Sequence, residues 1–477
     1  MTDNLGHKAA SGAVWATIDR FGTMVLQFTV NLILARLLLP EDFGAIGMLA
    51  IFIAVSQVLI DGGFGSALIQ KKNPSQTDYS TIFYWNILFS SFLYLILFIL
   101  APYIGKFFSM PVLSGVLRGI GLTLIINSIF TLQKIRLQKR LEFKRIAISN
   151  LSSYIIGAAS ATVMAYHGSG VWSLVAMQII YGVVFILVLW MVTKWTPSLC
   201  FSVKSLRELF GFGGYILFAN ILQETCKNLQ GIIIGRKFSA NQMGYFSQAY
   251  KLDQITSYSI PQVIVQVMYP VYSSLQDDRE RLNEIVAMNM RVIAFLIFPV
   301  IGLLILIAEP LIVFLYGEKW LPSVPYFQVL CVGGFFVCLQ NVNFYAVAAV
   351  GKSKQLFYWS FYKWGFLLCA LIIGMNFGMY GILWGMVLSN FNIFMVNSLL
   401  ASNFNGLTVI SQLKCIMFSL LMTIVSVIVA YVIWFISKIW LISIIIYFAF
   451  YFVIGFIIRY KPLFESMELL TRLIHRF

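Results

Sequence analysis

Seven of the charged residues lie well within stretches of sequence that are otherwise apolar enough to be buried in a lipid bilayer. They are Asp19, Arg20, Glu224, Lys227, Lys251, Asp253 and Lys363. A charge at the bilayer centre costs about 2.5–3.5 kcal/mol on insertion scales, so seven lipid-facing charges would cost on the order of 20 kcal/mol. We therefore expect them to face each other or a wet cavity. There the lysines and arginine could bind an anion, with phosphate the best match, and the carboxylates could exchange a cation.

Polar residues recur at helical intervals in two of these stretches. One stripe, at i, i+3, i+4 and i+7, consists of Asn220, Gln223, Glu224 and Lys227. A second, at i, i+3 and i+7, consists of Arg20, Thr23 and Gln27. Each member of the second stripe lies 200 residues before a member of the first. Two equivalent helices facing each other across a central path would give this pattern. The alternative is that the stripes only join helices to one another.

The remaining charges are interpreted from their spacing. Lys251 continues with Gln254 and Tyr258 as a stripe facing the path, whereas Asp253 is two residues further on and cannot share that face, so we expect it to pair elsewhere. Asp19 is expected to form an ion pair with another span, and Asp19 or Glu224 could instead couple a proton or Na⁺. The sequence leaves this choice open.

The composition is that of an integral membrane protein. Hydrophobic residues make up 60% of the 477 residues and charged residues 11%, against roughly 25% charged in typical globular chains. A transmembrane helix needs about 20 apolar residues. The sequence predicts about fourteen such helices, in the stretches 11–34, 42–66, 79–101, 112–132, 146–166, 171–193, 209–235, 241–271, 285–308, 322–350, 355–375, 379–401, 412–436 and 440–458. Continuous apolar runs, unlike alternating ones, exclude an outer-membrane barrel.

The distribution of basic residues predicts the orientation. With the N-terminus in the cytoplasm, the inner loops and tails hold 21 lysines and arginines, and the outer loops hold six. Both termini are therefore expected to be cytoplasmic, and the net charge of +15 reflects topology rather than nucleic-acid binding. The N-terminal residues lack the pattern of a cleavable signal. The six cysteines include no C-x-x-C pair and predict neither a metal nor a disulfide.

Two segments 200 residues apart share a pattern. Residues 32–48 read LILARLLLPEDFGAIGM and residues 232–248 read IIIGRKFSANQMGYFSQ. Each predicts a helix, a short break and a second helix that opens at Gly44 or Gly244. Looser matches follow at offsets that drift to about 211 residues. An even number of spans per copy makes the repeats parallel. We expect an N-lobe at 1–195, a C-lobe at 196–405, two extra spans at 406–460, and a cytoplasmic amphipathic tail at 461–477.

A cytoplasmic loop, Lys134–Arg145, holds six basic residues and one acidic residue. The simplest interpretation is a topology signal with attraction to anionic lipid. Capture of a phosphorylated headgroup is the alternative.

Three segments resemble a known family: Leu34–Gln70, Arg136–Ala158 and Gly170–Leu174. They are similar to bacterial polysaccharide flippases of the colanic-acid and exopolysaccharide type, within the multidrug/oligosaccharidyl-lipid/polysaccharide exporter superfamily. The resemblance implies a two-lobed helical transporter with a central V-shaped cavity. It implies that an undecaprenyl-pyrophosphate-linked oligosaccharide is flipped across the bacterial inner membrane. Related peptidoglycan-precursor flippases use Arg and Asp of spans 1 and 8. Asp19 and Arg20 match the first span, and Lys251 and Asp253 lie in span 8 with a different spacing.

The sequence therefore predicts a transporter without a cofactor, not an enzyme. We assign pyrophosphate or glycan binding to Arg20, Gln27, Asn220, Gln223, Lys227, Lys251 and Lys363. Ion pairing or cation coupling is assigned to Asp19, Glu224 and Asp253. Expected partners are membrane lipids, a polysaccharide polymerase and glycosyltransferases. The alternatives are a cation-coupled drug antiporter of the same superfamily, which would favour a net acidic cavity, and, ranked last, a membrane glycosyltransferase or polymerase.

Overall fold

The computed structural model describes residues 2–457 and Pro462, with the side chains of 2–10, 13, 211–216, 218–219 and 353 left out of the description. All regular elements within these residues are helical. The predicted amphipathic tail at 461–477 lies outside the described residues, apart from Pro462.

The α-helices follow one another with short connections. The first seven are α1 Thr2–Leu37, α2 Pro40–Asp61, α3 Phe64–Gln70, α4 Gln76–Phe107, α5 Val112–Lys139, α6 Phe143–Tyr166 and α7 Val171–Thr193. The next five are α8 Val203–Lys237, α9 Ala240–Gln254, α10 Ile260–Ser274, α11 Arg279–Leu306 and α12 Ala308–Tyr316. The last five are α13 Val324–Ala349, α14 Ser353–Gly374, α15 Gly378–Asn405, α16 Val409–Ser437 and α17 Trp440–Ile457.

The helical membrane fold is confirmed. Each of the fourteen predicted stretches falls on one helix or on consecutive helical segments. Among the described residues, ten helical runs are long and apolar enough to cross a membrane, so the count of fourteen stays a prediction. Outside these ten runs are α1, α8 and α9, which carry nine of the ten predicted site residues.

The chain forms two compact units, Met1–Gly244 and Tyr245–Phe477. In the first unit α1 packs on α6, α6 on α7, α4 on α5, and α2 on α8. In the second unit α13 packs on α15 and α11, and α16 packs on α11 and α17. The first unit thus includes α8, the helix predicted to open the C-lobe at 196–405.

The break between helices recurs after 200 residues. The first helix of each pair ends at Leu37 or Lys237, and the second begins at Pro40 or Ala240. The predicted opening at Gly44 or Gly244 was therefore four residues too late. Pro40 fits the first position of a helix, where a missing N–H costs nothing, and the Asp42 carboxylate accepts the backbone N–H of Leu39 at 2.9 Å. In the second copy the Ser239 hydroxyl accepts the N–H of Gln242 at 3.2 Å.

The first turns of α2 and α9 touch through a reciprocal contact. A Cβ atom added to Gly44 would lie 1.9 Å from the carbonyl oxygen of Ala240, and one added to Gly244 would lie 1.9 Å from that of Pro40. Glycines let two backbones approach this closely because they have no side chain. Each contact maps onto the other when 200 is added to one residue and subtracted from its partner. This is the signature of a local two-fold relation between the repeats.

A π-helical turn, Ile255–Ser259, joins α9 to α10. Its cause is Pro261, which has no N–H and whose ring would clash with the carbonyl four residues earlier. The N–H of Ile260 bonds instead to the carbonyl of Ile255. A π turn inserts one extra residue, so side chains before and after it lose the α-helical register. The stripe Lys251–Gln254–Tyr258 predicted for a regular helix is therefore interrupted.

The last helix, α17, is anchored to α11 by two of its tyrosine hydroxyl groups. Pro299 interrupts α11 and cannot donate to the carbonyl of Phe295. The Tyr451 hydroxyl donates to that carbonyl at 3.0 Å, and the Tyr447 hydroxyl donates to the carbonyl of Pro299 at 2.7 Å. Both tyrosines are fully buried. In lipid every backbone acceptor must be satisfied within the protein, and α17 supplies a hydroxyl donor to the carbonyl that lies four residues before the proline.

Candidate functional site

The ten predicted site residues are divided between the two units. The first unit holds Asp19, Arg20 and Gln27 on α1, with Asn220, Gln223, Glu224 and Lys227 on α8. The second unit holds Lys251 and Asp253 on α9, with Lys363 on α14. The predicted polar stripes of Arg20 and of Lys227 thus each lie on a single uninterrupted helix, α1 and α8.

A hydrogen-bonded centre joins three helices of the first unit. The side-chain amide of Asn150 on α6 donates to Asp19 Oδ1 at 2.8 Å and to Thr23 Oγ1 at 3.0 Å. Its carbonyl oxygen accepts from the Tyr181 hydroxyl on α7 at 2.8 Å. We call Asp19, Thr23, Asn150 and Tyr181 the Asn150 centre. The partner of Asp19 in this centre is a neutral amide, so the centre contains no cation that neutralises its carboxylate.

The stripe on α8 contains an internal ion pair. Lys227 Nζ lies 3.2 Å from Glu224 Oε1, and the Asn228 amide donates to the Glu224 backbone carbonyl at 2.9 Å. Gln223 and Lys227 are exposed and Asn220 is half-buried. Exposed pairs of this kind contribute about 0–1 kcal/mol. An anion can therefore displace Glu224 from Lys227 at little cost.

Asp253 is the most buried carboxylate among the predicted site residues. Its side chain belongs to a residue that is 3% exposed, and Oδ1 accepts from the Ser257 hydroxyl at 2.6 Å. Among the described residues it has no cationic partner. Ser257 lies inside the π turn, and Gly334 on α13 makes room for both, since an added Cβ would lie 2.2 Å from the Ser257 oxygen. A buried carboxylate is costly unless it binds a proton or a cation. Lys251, two residues earlier, is exposed.

Lys363 is a buried cation held by neutral groups. The residue is 6% exposed, and its ammonium donates to Asn397 Oδ1 on α15 at 2.5 Å. The Asn397 amide in turn donates to the backbone carbonyl of Gln340 on α13 at 2.9 Å. The ammonium also lies 5.8 Å from the centre of the Phe344 ring. No carboxylate pairs with it in the part of the chain that the structure describes, so its charge remains available to an anion.

Asp253 and Lys363, the two buried charged residues of the predicted site in the second unit, are both positioned by contacts with α13. Asp253 packs at Gly334, and the Lys363 chain of hydrogen bonds ends at Gln340. Six residues separate these points, which is ~9 Å along a helix. A carboxylate and an ammonium are thus held on one helix without neutralising each other.

Sequence reasoning missed the neutral partners. Asn150, Tyr181 and Asn397 fix the predicted charges but were not predicted as site residues. Asparagine inside an apolar run is a usable signal for Asn150 and Asn397, because an amide in lipid needs a partner. Nothing in the sequence distinguishes Tyr181 from the other tyrosines.

A family described as "Polysaccharide biosynthesis protein" matches residues 33–325, which is more than half of the sequence. The chain belongs to this family. The match confirms the resemblance seen in Leu34–Gln70. The matched range also covers α2 to α12, including the α8 stripe, Lys251 and Asp253. Asp19 and Arg20 on α1, and Lys363 on α14, lie outside it.

Two curated relatives are named for the biosynthesis of teichuronic acid and of lipopolysaccharide. The teichuronic acid biosynthesis protein TuaB of Bacillus subtilis (strain 168) is 24% identical, with 73% of each chain covered. The lipopolysaccharide biosynthesis protein WzxC of Escherichia coli (strain K12) is 24% identical, with 78% of this chain and 76% of that one covered. Both similarities agree with the family that matches residues 33–325.

Two solved structures share the fold. The lipid II flippase MurJ in an inward closed conformation matches with a TM-score of 0.73 and 15% identity, covering 94% of this chain and 99% of that one. An inward-facing multidrug resistance MATE family transporter matches with a TM-score of 0.61 and 14% identity, covering 83% of this chain and 98% of that one. At these identities the likeness shows the fold alone. The fold is that of a helical membrane transporter.

Proposed function

We propose that the protein is a flippase that moves an undecaprenyl-pyrophosphate-linked oligosaccharide from the cytoplasmic to the periplasmic leaflet of the bacterial inner membrane. Membership of a polysaccharide biosynthesis family carries the proposal. The relatives TuaB and WzxC, named for surface-polysaccharide biosynthesis, support it, as does the fold shared with a lipid flippase. The substrate would serve surface-polysaccharide assembly.

The charged headgroup of the proposed substrate is the main obstacle to its movement across the membrane. A glycan and a pyrophosphate cannot cross hydrocarbon unaided, because transfer of unpaired polar and charged groups into it is prohibitive. In our proposal Arg20, Lys227, Lys251 and Lys363 attract the phosphates, and Gln27, Asn220 and Gln223 hydrogen-bond the headgroup. The polyprenyl tail stays in lipid. The two repeats alternate access to the two sides of the membrane.

Lys363 is the strongest of the proposed phosphate ligands. It is buried, its partners are neutral, and its orientation is fixed by Asn397 at 2.5 Å. An anion near it would gain an interaction that water does not screen. Lys227 must first leave Glu224.

The energy source has two candidates. A pyrophosphate diester carries about two negative charges, and moving them outward across a membrane that is 100 mV negative inside releases roughly 4–5 kcal/mol. Alternatively a proton or Na⁺ enters on Asp19, Glu224 or Asp253. Asp253 fits this role best, because it is buried and has no cationic partner among the described residues.

We further propose that both termini are cytoplasmic, following the 21-to-6 split of basic residues. A polymerase and glycosyltransferases that act on the same glycan are the expected functional partners. Cysteine labelling of substituted loop residues from each side of the membrane tests the orientation.

A drug or organic-cation antiporter is the second candidate. The fold shared with a MATE family transporter and the buried Asp253 favour it. The predicted intramembrane charges argue against it, because four are basic and three acidic.

The deciding experiment compares Lys363→Met with Lys354→Met on the same helix, where Lys354 is exposed. Reconstituted vesicles are loaded with a fluorescent lipid-linked oligosaccharide, and its arrival in the opposite leaflet is measured. We expect transport to fall at least tenfold in K363M and to stay normal in K354M. If K363M and Lys227→Gln left glycan transport intact but reduced cation resistance, the antiporter would be the correct function.

A further inference from the structure

A basic pocket of the first unit lies between the α3–α4 connection, with the first turn of α4, and the end of α5, with its connection to α6. A third connection, the segment after α7, contributes Trp195, which contacts Arg136. The pocket has a volume of about 380 Å³, within the range of about 300–1,000 Å³ that holds small ligands. It is lined by Lys72, Asn73, Gln76, Arg136, Lys139 and Arg140, together with a proline and a tyrosine. Among the described residues no carboxylate lines it. All three connections are on the side that the sequence predicts as cytoplasmic.

Lys139 builds the pocket wall and does not face a ligand. Its ammonium donates to the backbone carbonyls of Leu68 at 2.8 Å, Ile69 at 3.1 Å and Lys71. An ammonium has three protons, so these three acceptors use all of them. The contacts cap the C-terminal end of α3, as lysines commonly do. They fix the connection that carries Lys72 and Asn73.

Arg136 is held in a fixed orientation. Its guanidinium lies 4.7 Å from the Trp195 ring centre and 5.3 Å from that of Tyr79. Trp195 is itself oriented, because its indole N–H donates to Gln76 Oε1 at 2.7 Å. The Nη1 atom of Arg136 is buried and has no hydrogen-bond acceptor among the described residues. An arginine stacked in this way loses little entropy when it binds an oxyanion.

The nearby carboxylates are engaged elsewhere. Lys71 Nζ lies 3.0 Å from Asp78 and 3.4 Å from Glu208. This separates the acids from the pocket, in which Lys72 and Arg140 are exposed at the mouth. Three ligand-facing cations therefore remain: Lys72, Arg136 and Arg140.

Two other basic residues of the predicted loop, Lys144 and Arg145, have contacts outside this site. Lys144 lies 5.4 Å from the centre of the Trp15 ring, and Arg145 pairs with Glu142 at 2.6 Å. The loop Lys134–Arg145 is thus not a uniform positive surface. Arg136, Lys139 and Arg140 line the pocket, whereas Lys144 and Arg145 contact other residues.

We propose that this pocket binds a phosphate ester at the membrane surface through Arg136, Arg140 and Lys72. Guanidinium groups match phosphate oxygens in pairs, and the volume accommodates a phosphate with part of its headgroup. An anionic lipid headgroup and a soluble phosphorylated compound present the same chemistry. The proposal does not rest on the proposed flippase function, because the pocket shares none of the residues assigned to transport.

The test measures binding of inorganic pyrophosphate by calorimetry to the full chain in phosphatidylcholine nanodiscs. Arg140→Gln, at an exposed position, and Arg136→Gln should each weaken binding by about tenfold or more, since a hydrogen bond to a charged group contributes about 1.5–3 kcal/mol. Lys144→Gln removes an equal charge from the same loop and should leave binding unchanged. Binding should also persist in K363M, which separates this site from the proposed transport site.

Equal weakening in K144Q and R140Q would overturn the proposal, because binding would then follow overall charge. A second pair of results would also overturn it. In this case the unaltered chain does not bind pyrophosphate in nanodiscs with or without anionic lipid, and native mass spectrometry does not show phosphatidylglycerol retained by the unaltered chain and lost in R140Q. If phosphatidylglycerol in the nanodisc competes with pyrophosphate, the natural ligand is a lipid headgroup. If pyrophosphate binds equally with and without phosphatidylglycerol, it is a soluble phosphate compound.

Discussion

Alanine at Gly44 or Gly244 should separate the two helices that the repeat brings together. The added methyl carbon would lie 1.9 Å from a backbone carbonyl oxygen, at Ala240 in one case and Pro40 in the other. That is 1.5 Å closer than the 3.4 Å at which ordinary contact begins. Both clashing atoms belong to helix backbones, so no side chain can rotate away. We expect a cost at the upper end of the usual overpacking range, about 3 kcal/mol or more.

The two substitutions should be strongly coupled. If α2 and α9 move apart by 1.5 Å to accept one methyl group, most of the room for the second already exists. The double variant G44A/G244A should therefore cost clearly less than the sum of the two single variants. This follows from the reciprocal geometry and would not hold for two independent helix contacts.

The assay is thermal unfolding of the purified protein in detergent and in nanodiscs, followed by tryptophan fluorescence. Gly365→Ala on α14 is the matched control, because among the described residues no atom outside its own helix backbone lies within 4 Å of the Cβ that it adds. Alanine favours helix by about 1 kcal/mol over glycine, so G365A should be neutral or stabilising. Unchanged midpoints in G44A and G244A, or strict additivity in the double variant, would refute the reciprocal contact.

Three further substitutions test other contacts. Asn150→Leu removes three hydrogen bonds of the Asn150 centre and should cost about 3 kcal/mol, measured as a fall in the unfolding midpoint, whereas Asn376→Leu at an exposed site should not. Tyr451→Phe removes the hydroxyl that donates to the Phe295 carbonyl and should cost about 1–3 kcal/mol of stability. Tyr431→Phe, on the exposed face of α16, should leave the unfolding midpoint unchanged. Equal midpoints for the two variants would contradict the anchoring role of α17. Asp253→Asn can keep the bond from Ser257 and removes a buried charge, so it should raise the midpoint yet abolish any dependence of transport on protons or Na⁺, with Asp277→Asn in an exposed loop as control. Retained cation dependence in D253N would move the coupling site to Asp19 or Glu224.

The sequence by itself determined the helices and their order. A backbone in lipid must satisfy its hydrogen bonds within each segment, and a helix must be long enough to cross. These two requirements are local, so apolar length predicted where helices lie, and the 200-residue pattern predicted that the break near Leu38 recurs near Phe238. Its starting residues were misplaced by one turn because proline and serine caps, not the glycines, begin α2 and α9.

Only the tertiary structure decided which side chains meet. Asp19 is bound by Asn150, 131 residues away, and Tyr451 by the carbonyl of Phe295, 156 residues away. Helices that are apolar on nearly all sides carry little signal of which face packs against which neighbour. The stripe of polar residues on α8, by contrast, repeats at helical intervals within one helix, so the sequence predicts it. The three connections that bring Arg136 against Trp195 and Tyr79 depend on packing between distant helices, which local periodicity does not encode.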